Sequence, residues 1–169
     1  MKNKHIGILL GGMSAEREVS ITSGEAVYQA LTARGYRCTK IYVDRDIDRV
    51  LRQTPIDVAF IALHGTYGED GCIQGLLEIL GIPYTGSSVM ASALAMDKLK
   101  AKELFRLYNV PTPPYYCVGR DDSDRIAEIH GSFGFPAFVK PRRAGSSVGA
   151  GRAKDIHELE QLVEQAGRF

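Results

Sequence analysis

The chain has 169 residues, 44% of them hydrophobic and 24% charged, with a formal net charge of +1, as expected for a soluble globular protein of one domain or of one domain and part of another. The near-zero charge argues against general binding to nucleic acid or anionic membranes, and the sequence has neither a signal-peptide core nor a membrane-spanning apolar run. The three cysteines, Cys38, Cys72 and Cys117, show no metal-binding or disulfide spacing, which indicates buried thiols and a cytoplasmic protein.

The first half of the chain alternates apolar strands with helical patterns. Strands are predicted over residues 6–10, 38–43 and 58–63, and Ser14 is predicted to cap a helix that ends before Gly35. The residues of this helix at core-facing spacing are Val19, Ser23, Ala26, Val27, Ala30 and Leu31. Alternating strands and helices predict an α/β fold with a parallel sheet and right-handed crossovers.

Two polar loops follow the first and third predicted strands, at residues 11–18 and 64–71. Ligands of parallel sheets gather at the carboxyl ends of the strands, so Glu16 and His64 are candidate binding residues. Taken alone, Glu16 also suits any helix N-terminus, and His64 is better explained as a hydrogen-bonded histidine at a strand end. Glu69 and Asp70 are predicted to hold backbone N–H groups of a turn.

The middle of the chain is predicted to be mainly helical. Helices are expected over residues 73–80 and 88–96, with a short edge strand at 82–86 between them. Asp97 is predicted to cap the next helix, and Lys98 in its first turn meets either solvent or an anionic ligand.

A proline-rich stretch marks a boundary at Pro111, Pro113 and Pro114. A strand over 115–118, a helix opened by residues 121–124 and a second strand over 135–139 are predicted to follow. An Asp155–Glu158 capping box then opens a final helix that carries Leu159, Leu162, Val163 and Ala166.

The strand over 135–139 leads into Lys140, a short basic stretch and Gly-Ser-Ser-Val-Gly at residues 145–149. Glycines let backbone N–H groups point into one concavity, and serine hydroxyls and nearby cations add to it, so this segment is predicted to cradle phosphate. Because Lys140 precedes the glycines, it is not a Walker loop. A flexible Gly-Ser hairpin with solvated arginines is equally consistent with the local pattern.

Only one side of the predicted phosphate-binding site lies within this sequence, and no acidic cluster that could hold Mg²⁺ follows it. The segment after Pro111 is also near the lower size limit for burying its own core. The chain is therefore expected to be the front part of a larger enzyme.

In their order and spacing, the motifs of the chain resemble the N-terminal portion of the D-alanine–D-alanine ligases, which are ATP-grasp enzymes. The segments that carry this resemblance are residues 9–20, 62–65, 68–71, 82–87, 92–98, 139–141 and 145–149. The resemblance implies an α/β protein with a Rossmann-like (pre-ATP-grasp) parallel-sheet substrate domain, residues 1–96. It also implies that residues 97–169 form the first, incomplete part of an ATP-grasp α+β domain.

The resemblance also implies a function. The family uses ATP to join two D-alanine molecules through an acyl phosphate, an ADP-forming carbon–nitrogen ligation that serves peptidoglycan and cell-wall synthesis. It implies a cytoplasmic homodimer that associates through the N-terminal domain, with Mg²⁺ or Mn²⁺ bound by residues beyond Phe169. The chain alone is expected to be inactive. The alternatives are a non-catalytic binding module, a D-alanine–D-lactate ligase and another ATP-grasp ligase.

The resemblance assigns roles to particular residues. Glu16 matches the residue that receives the ammonium of the first D-alanine, and His64 matches one near its carboxylate. Lys98 and Lys140 match phosphate-binding lysines. Ser146 matches a serine that a lid tyrosine outside this sequence links to the glutamate, so that Glu16 and Ser146 are the expected catalytic pair. The loop expected to cover the triphosphate comprises Gly145, Ser146, Ser147, Val148 and Gly149.

Overall fold

The structure is a computed structural model that describes residues 3–169, except for the side chain of Arg120. The chain divides into two compact units, Met1–Met96 and Asp97–Phe169. Within the described residues, no helix has the length and apolar content that crossing a bilayer requires.

The first unit is built on a three-stranded parallel sheet. Strand β1, His5–Gly11, lies in the centre, between β2, Arg37–Val43, and β3, Val58–Ile61. Ile6 lies opposite Cys38 on one side and opposite Val58 on the other. The central strand is almost wholly buried, as its continuous apolar run predicts. The predicted α/β fold with a parallel sheet is confirmed.

The first unit has four helices: α1, Arg17–Ala33; α2, Ile47–Gln53; α3, Cys72–Ile79; and α4, Val89–Met96, which contacts α3. The short helix α2 was not predicted. The core that the sheet and helices enclose comprises Leu9, Ile41, Val43, Leu51, Ala59, Leu63, Ile73 and Leu77.

The buried face of α1 differs from the predicted one. Ser20 and Gly24 are the buried positions, whereas Val19 and Ala26 are exposed, as is Ala30. A Cβ atom added at Gly24 would lie 2.5 Å from the Cβ of Leu10, so the small residues let α1 approach the central strand closely. The predicted face therefore holds only in part: Ser23, Val27 and Leu31 are half-buried, but the residues closest to the sheet are small ones that permit close approach.

The predicted cap of α1 was wrong. Ser14 lies before the helix, and Glu16 occupies the N-cap position without a capping bond from its side chain. The Ser14 hydroxyl instead donates to the carbonyl of His64 and accepts from the N–H of Glu16, at 2.7 and 3.1 Å. Ser14 thus joins two loops and does not cap the helix.

Residues 82–86 do not form the predicted edge strand. They make one parallel bridge, between Ala59 and Tyr84, in which Ala59 donates its N–H to the carbonyl of Pro83 and accepts from the N–H of Thr85. Pro83 has no N–H to donate, which limits the ladder at this edge.

The cysteines also differ from the prediction of buried thiols. Cys38 is half-buried, and both Cys72 and Cys117 are exposed. Partial burial raises the pKa of the Cys38 and Cys72 thiols, and the neighbouring Asp70 carboxylate further raises that of Cys72.

The second unit contains a short antiparallel sheet and several helices. Strand β4, Ala137–Val139, pairs with β5, Gly151–Ala153, so that Phe138 lies opposite Arg152. The helices are α5, Lys98–Leu107; a 3₁₀ helix, Arg120–Arg125; α6, Ile126–His130; and α7, Ile156–Ala166. Its buried core comprises Ile126, Ala153 and Leu159.

Residues 115–118 do not pair as a strand in the described part of the chain, contrary to the prediction. Side-chain contacts hold the preceding segment instead. The Nζ atom of Lys102 donates to the hydroxyl of Thr112 and the carbonyl of Pro113, at 2.7 and 3.2 Å, and lies over the ring of Tyr115. The acidic residues after this segment open the 3₁₀ helix and not an α-helix.

Two boundary predictions hold only in part. Strand β4 begins at Ala137 and not at residue 135, because Pro136 has no N–H for a ladder. Asp155 accepts the N–H of Glu158 at 2.9 Å, as the predicted capping box requires. The Glu158 carboxylate accepts from the N–H of Lys154 and not from that of Asp155, so the box is shifted by one residue.

Candidate functional site

Glu16 lies at the carboxyl end of the central strand, where β1 turns into α1. It is only 6% exposed, and its Oε1 atom has no hydrogen-bond partner among the described residues. A Cβ atom added at Gly65 would lie 2.5 Å from Oε2, so the carboxylate packs directly against the loop that follows β3. A buried carboxylate with an unused acceptor is costly by itself, and a cationic ligand group would offset that cost.

His64 lies in the loop after β3, on the same sheet edge as Glu16. Its Nε2 atom lies 3.2 Å from the hydroxyl of Ser23, and its Nδ1 atom lies 3.9 Å from a carboxylate oxygen of Glu69. The bridging serine, Ser14, connects the His64 carbonyl to the Glu16 backbone. The structure therefore joins the two loops that carry the predicted substrate residues of this unit, and it also shows His64 as a hydrogen-bonded side chain.

The acidic residues of this loop organise its backbone, as predicted. The Glu69 carboxylate accepts the N–H of Gly65 at 2.7 Å. Asp70 accepts from the N–H groups of Tyr67 and Cys72, at 2.8 and 3.1 Å. These bonds fix the turn on which His64 stands.

Ser20 is a supporting residue that the sequence analysis did not single out. It is fully buried, its hydroxyl accepts the N–H of Gly11 at 2.9 Å, and it donates to the carbonyl of Ala62 at 2.7 Å. The hydroxyl thereby joins the ends of β1 and β3 beneath the two loops. Its spacing of four residues from Glu16 and from Gly24 was the available signal, since these positions share one helix face.

The predicted cap of α5 is confirmed in the second unit. The Asp97 carboxylate accepts the N–H of Lys100 at 3.2 Å. It also pairs with the Nε atoms of Arg142 and Arg143, at 2.7 and 3.2 Å. The Arg142 guanidinium, with smaller contributions from the Lys100 N–H and from Arg143, holds the pKa of Asp97 well below its ordinary value of 3.8, although burial opposes this.

The predicted phosphate residues of this unit surround the connection between β4 and β5. Lys98 and Lys140 line one open cleft of about 2020 Å³, together with Arg142 and Arg143. The Nζ atom of Lys98 donates to the carbonyl of Ala144 at 2.5 Å. Lys140 is exposed, and its Nζ atom lies 5.2 Å from the centre of the Phe138 ring.

The loop 145–149 is folded as two successive turns. Val148 donates its N–H to the carbonyl of Gly145, and Ala150 donates to that of Ser147. Ser146 and Ser147 have φ of 45° and 60°, a left-handed conformation that costs energy for residues other than glycine. Such successive residues turn backbone N–H groups toward one side, which suits an anion. These five residues lie outside the lining of the cleft that contains Lys98 and Lys140.

Comparison with known proteins decides the family of this chain. The model of the D-ala D-ala ligase N-terminus matches residues 5–54 and 47–87, and that of the D-ala D-ala ligase C-terminus matches residues 104–169. The chain belongs to the D-alanine–D-alanine ligase family. A D-alanine–D-alanine ligase of Geotalea uraniireducens is 54% identical over 169 residues, which are 100% of this chain and 54% of that protein.

Solved structures agree with this family. A D-alanine–D-alanine ligase of Bacillus anthracis complexed with ATP is 34% identical with a TM-score of 0.75, covering 98% of this chain and 55% of its own. VanG, a D-Ala:D-Ser ligase of Enterococcus faecalis, is 28% identical with a TM-score of 0.77, covering 98% of this chain and 60% of its own. The ligase-family chain thus spans about half the length of the relatives that it matches.

The ligase-family chain offers no metal site in its described part. Residues 3–169 contain no group of three or more His, Cys, Asp or Glu side chains that could hold a metal ion. Among the acidic residues of the candidate site, Glu69 and Asp70 hold a turn and Asp97 holds two arginines. Asp124, Glu160 and Glu164 line the cleft of the second unit. The described residues therefore supply no set of three protein ligands for Mg²⁺ or Mn²⁺.

Proposed function

We propose that this chain is part of an ATP-dependent D-alanine–D-alanine ligase, with the D-alanine site on the first unit and phosphate-binding residues on the second. The observation that carries the proposal is the buried Glu16 carboxylate with its unpartnered oxygen at the carboxyl edge of the parallel sheet. An α-ammonium group supplies both the positive charge and the hydrogen-bond donors that this carboxylate lacks.

The two substrate residues meet different groups of the first D-alanine. Glu16 binds its ammonium group, and His64 lies near its carboxylate. Because Ser14 and Ser20 tie both loops to the sheet, the two side chains are held in place before the substrate arrives. Such preorganisation places the reacting carboxylate without a further ordering cost.

The phosphate residues act on ATP. Lys98 and Lys140 bind phosphate oxygens, and the loop Gly145–Gly149 covers the triphosphate with its N–H groups and with the hydroxyls of Ser146 and Ser147. Phosphoryl transfer spreads negative charge over the phosphate oxygens, so it needs dispersed cations and N–H donors more than covalent help. The D-alanine carboxylate attacks the γ-phosphorus, the bond to ADP breaks, and an acyl phosphate forms.

The second step forms the peptide bond. The neutral amine of a second D-alanine attacks the acyl carbon, phosphate leaves with the bridging oxygen, and the proton that the amine loses passes to the departing phosphate. Ser146 takes part through its contact with a lid tyrosine that lies outside this chain. The lid, the adenine-binding residues and the ligands of Mg²⁺ or Mn²⁺ belong to the remainder of the enzyme, as does the choice of D-alanine, D-serine or D-lactate as second substrate.

The same proposal covers the state of the protein in the cell. The enzyme is a cytoplasmic homodimer associated through the first unit, and it serves peptidoglycan synthesis. The 169 residues alone bind substrates weakly or not at all and do not turn over, since only about half of the relatives' length is present.

The test uses a joined ligase, in which residues 1–169 are fused to the part of the Geotalea uraniireducens enzyme that they do not cover. We expect D-alanine-dependent release of ADP. Lys140→Ala should lower turnover by about 10²-fold, the scale for losing one group that stabilises transition-state charge. Glu16→Gln should raise the KM for D-alanine with little change in the KM for ATP.

The matched control is Glu18→Gln, which removes a carboxylate from an exposed position of the first turn of α1. It should leave both KM values unchanged. Near-normal turnover of the Lys140→Ala enzyme, or an unchanged D-alanine dependence of the Glu16→Gln enzyme, would contradict the proposal.

A further inference from the structure

Asp97 makes more contacts than a helix cap requires. It is 6% exposed, and besides the N–H of Lys100 its two oxygens accept from Arg142 and Arg143. These arginines lie 45 and 46 residues further along the chain, in the connection between β4 and the loop 145–149. One buried carboxylate therefore joins the start of α5 to this connection.

The neighbouring residue, Lys98, adds two further ties to the same connection. Its backbone N–H donates to the carbonyl of Arg142 at 3.1 Å, and its Nζ atom donates to the carbonyl of Ala144. Asp97 and Lys98 thus hold three consecutive residues, 142–144, immediately before Gly145. A displacement of residues 142–144 would therefore also displace Gly145, the first residue of the loop 145–149.

Charge gives a second reason to regard this arrangement as functional. Arg142 and Arg143 line the same cleft as Lys98 and Lys140. With Lys102 and Arg168 the lining contains six cationic side chains, beside the carboxylates of Asp124, Glu160 and Glu164. Asp97 neutralises part of this charge through short, charge-assisted bonds to the two guanidinium groups. Paired in this way, the two arginines are held to the protein just before the loop 145–149.

We propose that Asp97 is a positioning residue that anchors residues 142–144 through Arg142 and Arg143, and so fixes the loop 145–149 for binding the nucleotide phosphates. This proposal rests on the proposed function, because it assumes that the loop meets a nucleotide. The simpler role, capping of α5, is separable from it, because asparagine caps helices about as well as aspartate but carries no charge to hold two arginines.

The first arm of the test uses the 169-residue chain and trypsin, which cleaves after arginine only when the guanidinium can leave its partners. We expect Asp97→Asn to raise the rate of cleavage after Arg142 and Arg143 about tenfold relative to cleavage after Arg34, the factor for losing one charge-assisted bond. The matched control is Asp155→Asn, which alters the exposed cap of α7. It should leave that ratio unchanged.

The second arm uses the joined ligase. Asp97→Asn should raise the KM for ATP about tenfold, by the same reasoning, with kcat and the KM for D-alanine within about twofold of the unsubstituted enzyme. Arg142→Gln removes one of the two arginine contacts, so it should raise the KM for ATP by no more than Asp97→Asn does. The double variant Asp97→Asn/Arg142→Gln should be no worse than Asp97→Asn, which already removes the Arg142 contact. If Asp97→Asn fails to fold, Arg142→Gln tests the same pair without altering the cap.

Several results would overturn the proposal: an unchanged cleavage ratio, an equal rise for Asp155→Asn, or faster cleavage with no change in the KM for ATP. A joined ligase that is inactive without any substitution would refute the proposed function instead. The trypsin arm would still decide whether Asp97 anchors residues 142–144.

Discussion

Gly65 provides the sharpest test of how the first unit holds Glu16. The backbone of Gly65 has φ of 69°, and a Cβ atom added there would lie 2.5 Å from the Oε2 atom of Glu16 and 3.1 Å from Ser14. Gly81 is a matched control, with φ of 68° and nothing within 4 Å of an added Cβ atom. Gly65→Ala and Gly81→Ala therefore impose the same backbone cost and differ in what the new methyl group meets.

The two costs can be separated. A left-handed conformation costs alanine about 1–2 kcal/mol, and this applies equally to Gly65→Ala and Gly81→Ala. Overlap with Glu16 and Ser14 adds about 1–3 kcal/mol at Gly65, at the lower end if the Glu16 side chain rotates away. We therefore expect Gly65→Ala to be destabilised by at least about 1 kcal/mol more than Gly81→Ala.

Urea unfolding of the 169-residue chain, followed by circular dichroism, measures this difference in unfolding free energy. In the joined ligase, Gly65→Ala should also raise the KM for D-alanine, because the methyl group displaces the Glu16 carboxylate, whereas Gly81→Ala should not. Equal unfolding free energies for the two variants would refute the placement of Glu16 against Gly65. An unaltered D-alanine KM would refute its role in binding the substrate.

Three further predictions concern stability, measured by the same urea unfolding. Gly24→Ala should destabilise the chain by about 1–3 kcal/mol, because the added Cβ would overlap the central strand. Gly75→Ala, whose added Cβ has its nearest neighbour at 3.9 Å, should stabilise the chain by about 0.5–1 kcal/mol. Stability changes of the same sign in the two variants would contradict this packing. Ser20→Ala should cost about 1–3 kcal/mol because it leaves a buried backbone N–H and carbonyl unpaired, and an unchanged stability would contradict that account. The arginines lower the pKa of Asp97, so the ionised carboxylate stabilises the folded chain at pH values above its ordinary pKa of 3.8. This contribution to the unfolding free energy is lost as the pH falls below that value and Asp97 becomes protonated. The stability difference between the unsubstituted chain and Asp97→Asn should therefore shrink in acid, and a difference independent of pH would count against the pairing.

The features that the sequence predicted correctly are those that local patterns determine. Continuous apolar runs located the first and third parallel strands, and the alternation of strands with helices located the second. The rule that ligands gather at the carboxyl ends of such strands placed Glu16 and His64 at one sheet edge. Asp97 was recognised as a cap because capping is decided within one turn of helix.

The features that the sequence analysis missed depend on distant parts of the chain. The contact between Asp97 and Arg142 joins residues 45 apart and has no local signature. The buried face of α1 was predicted only in part, because Ser20 and Gly24 are selected for close approach to the sheet, which hydrophobic spacing does not report. The segment 115–118 has strand-forming residues but no partner within the described chain, and pairing decides a strand more than propensity does.

The most direct test of the proposed chemistry follows the oxygen atoms. The joined ligase would be given ATP and D-alanine whose carboxylate carries oxygen-18, and the products would be analysed by mass spectrometry. The account predicts D-alanyl-D-alanine in equal amount to ADP, with one labelled oxygen in each released phosphate, because the acyl phosphate transfers its bridging oxygen. ADP without dipeptide, or phosphate without label, would contradict it.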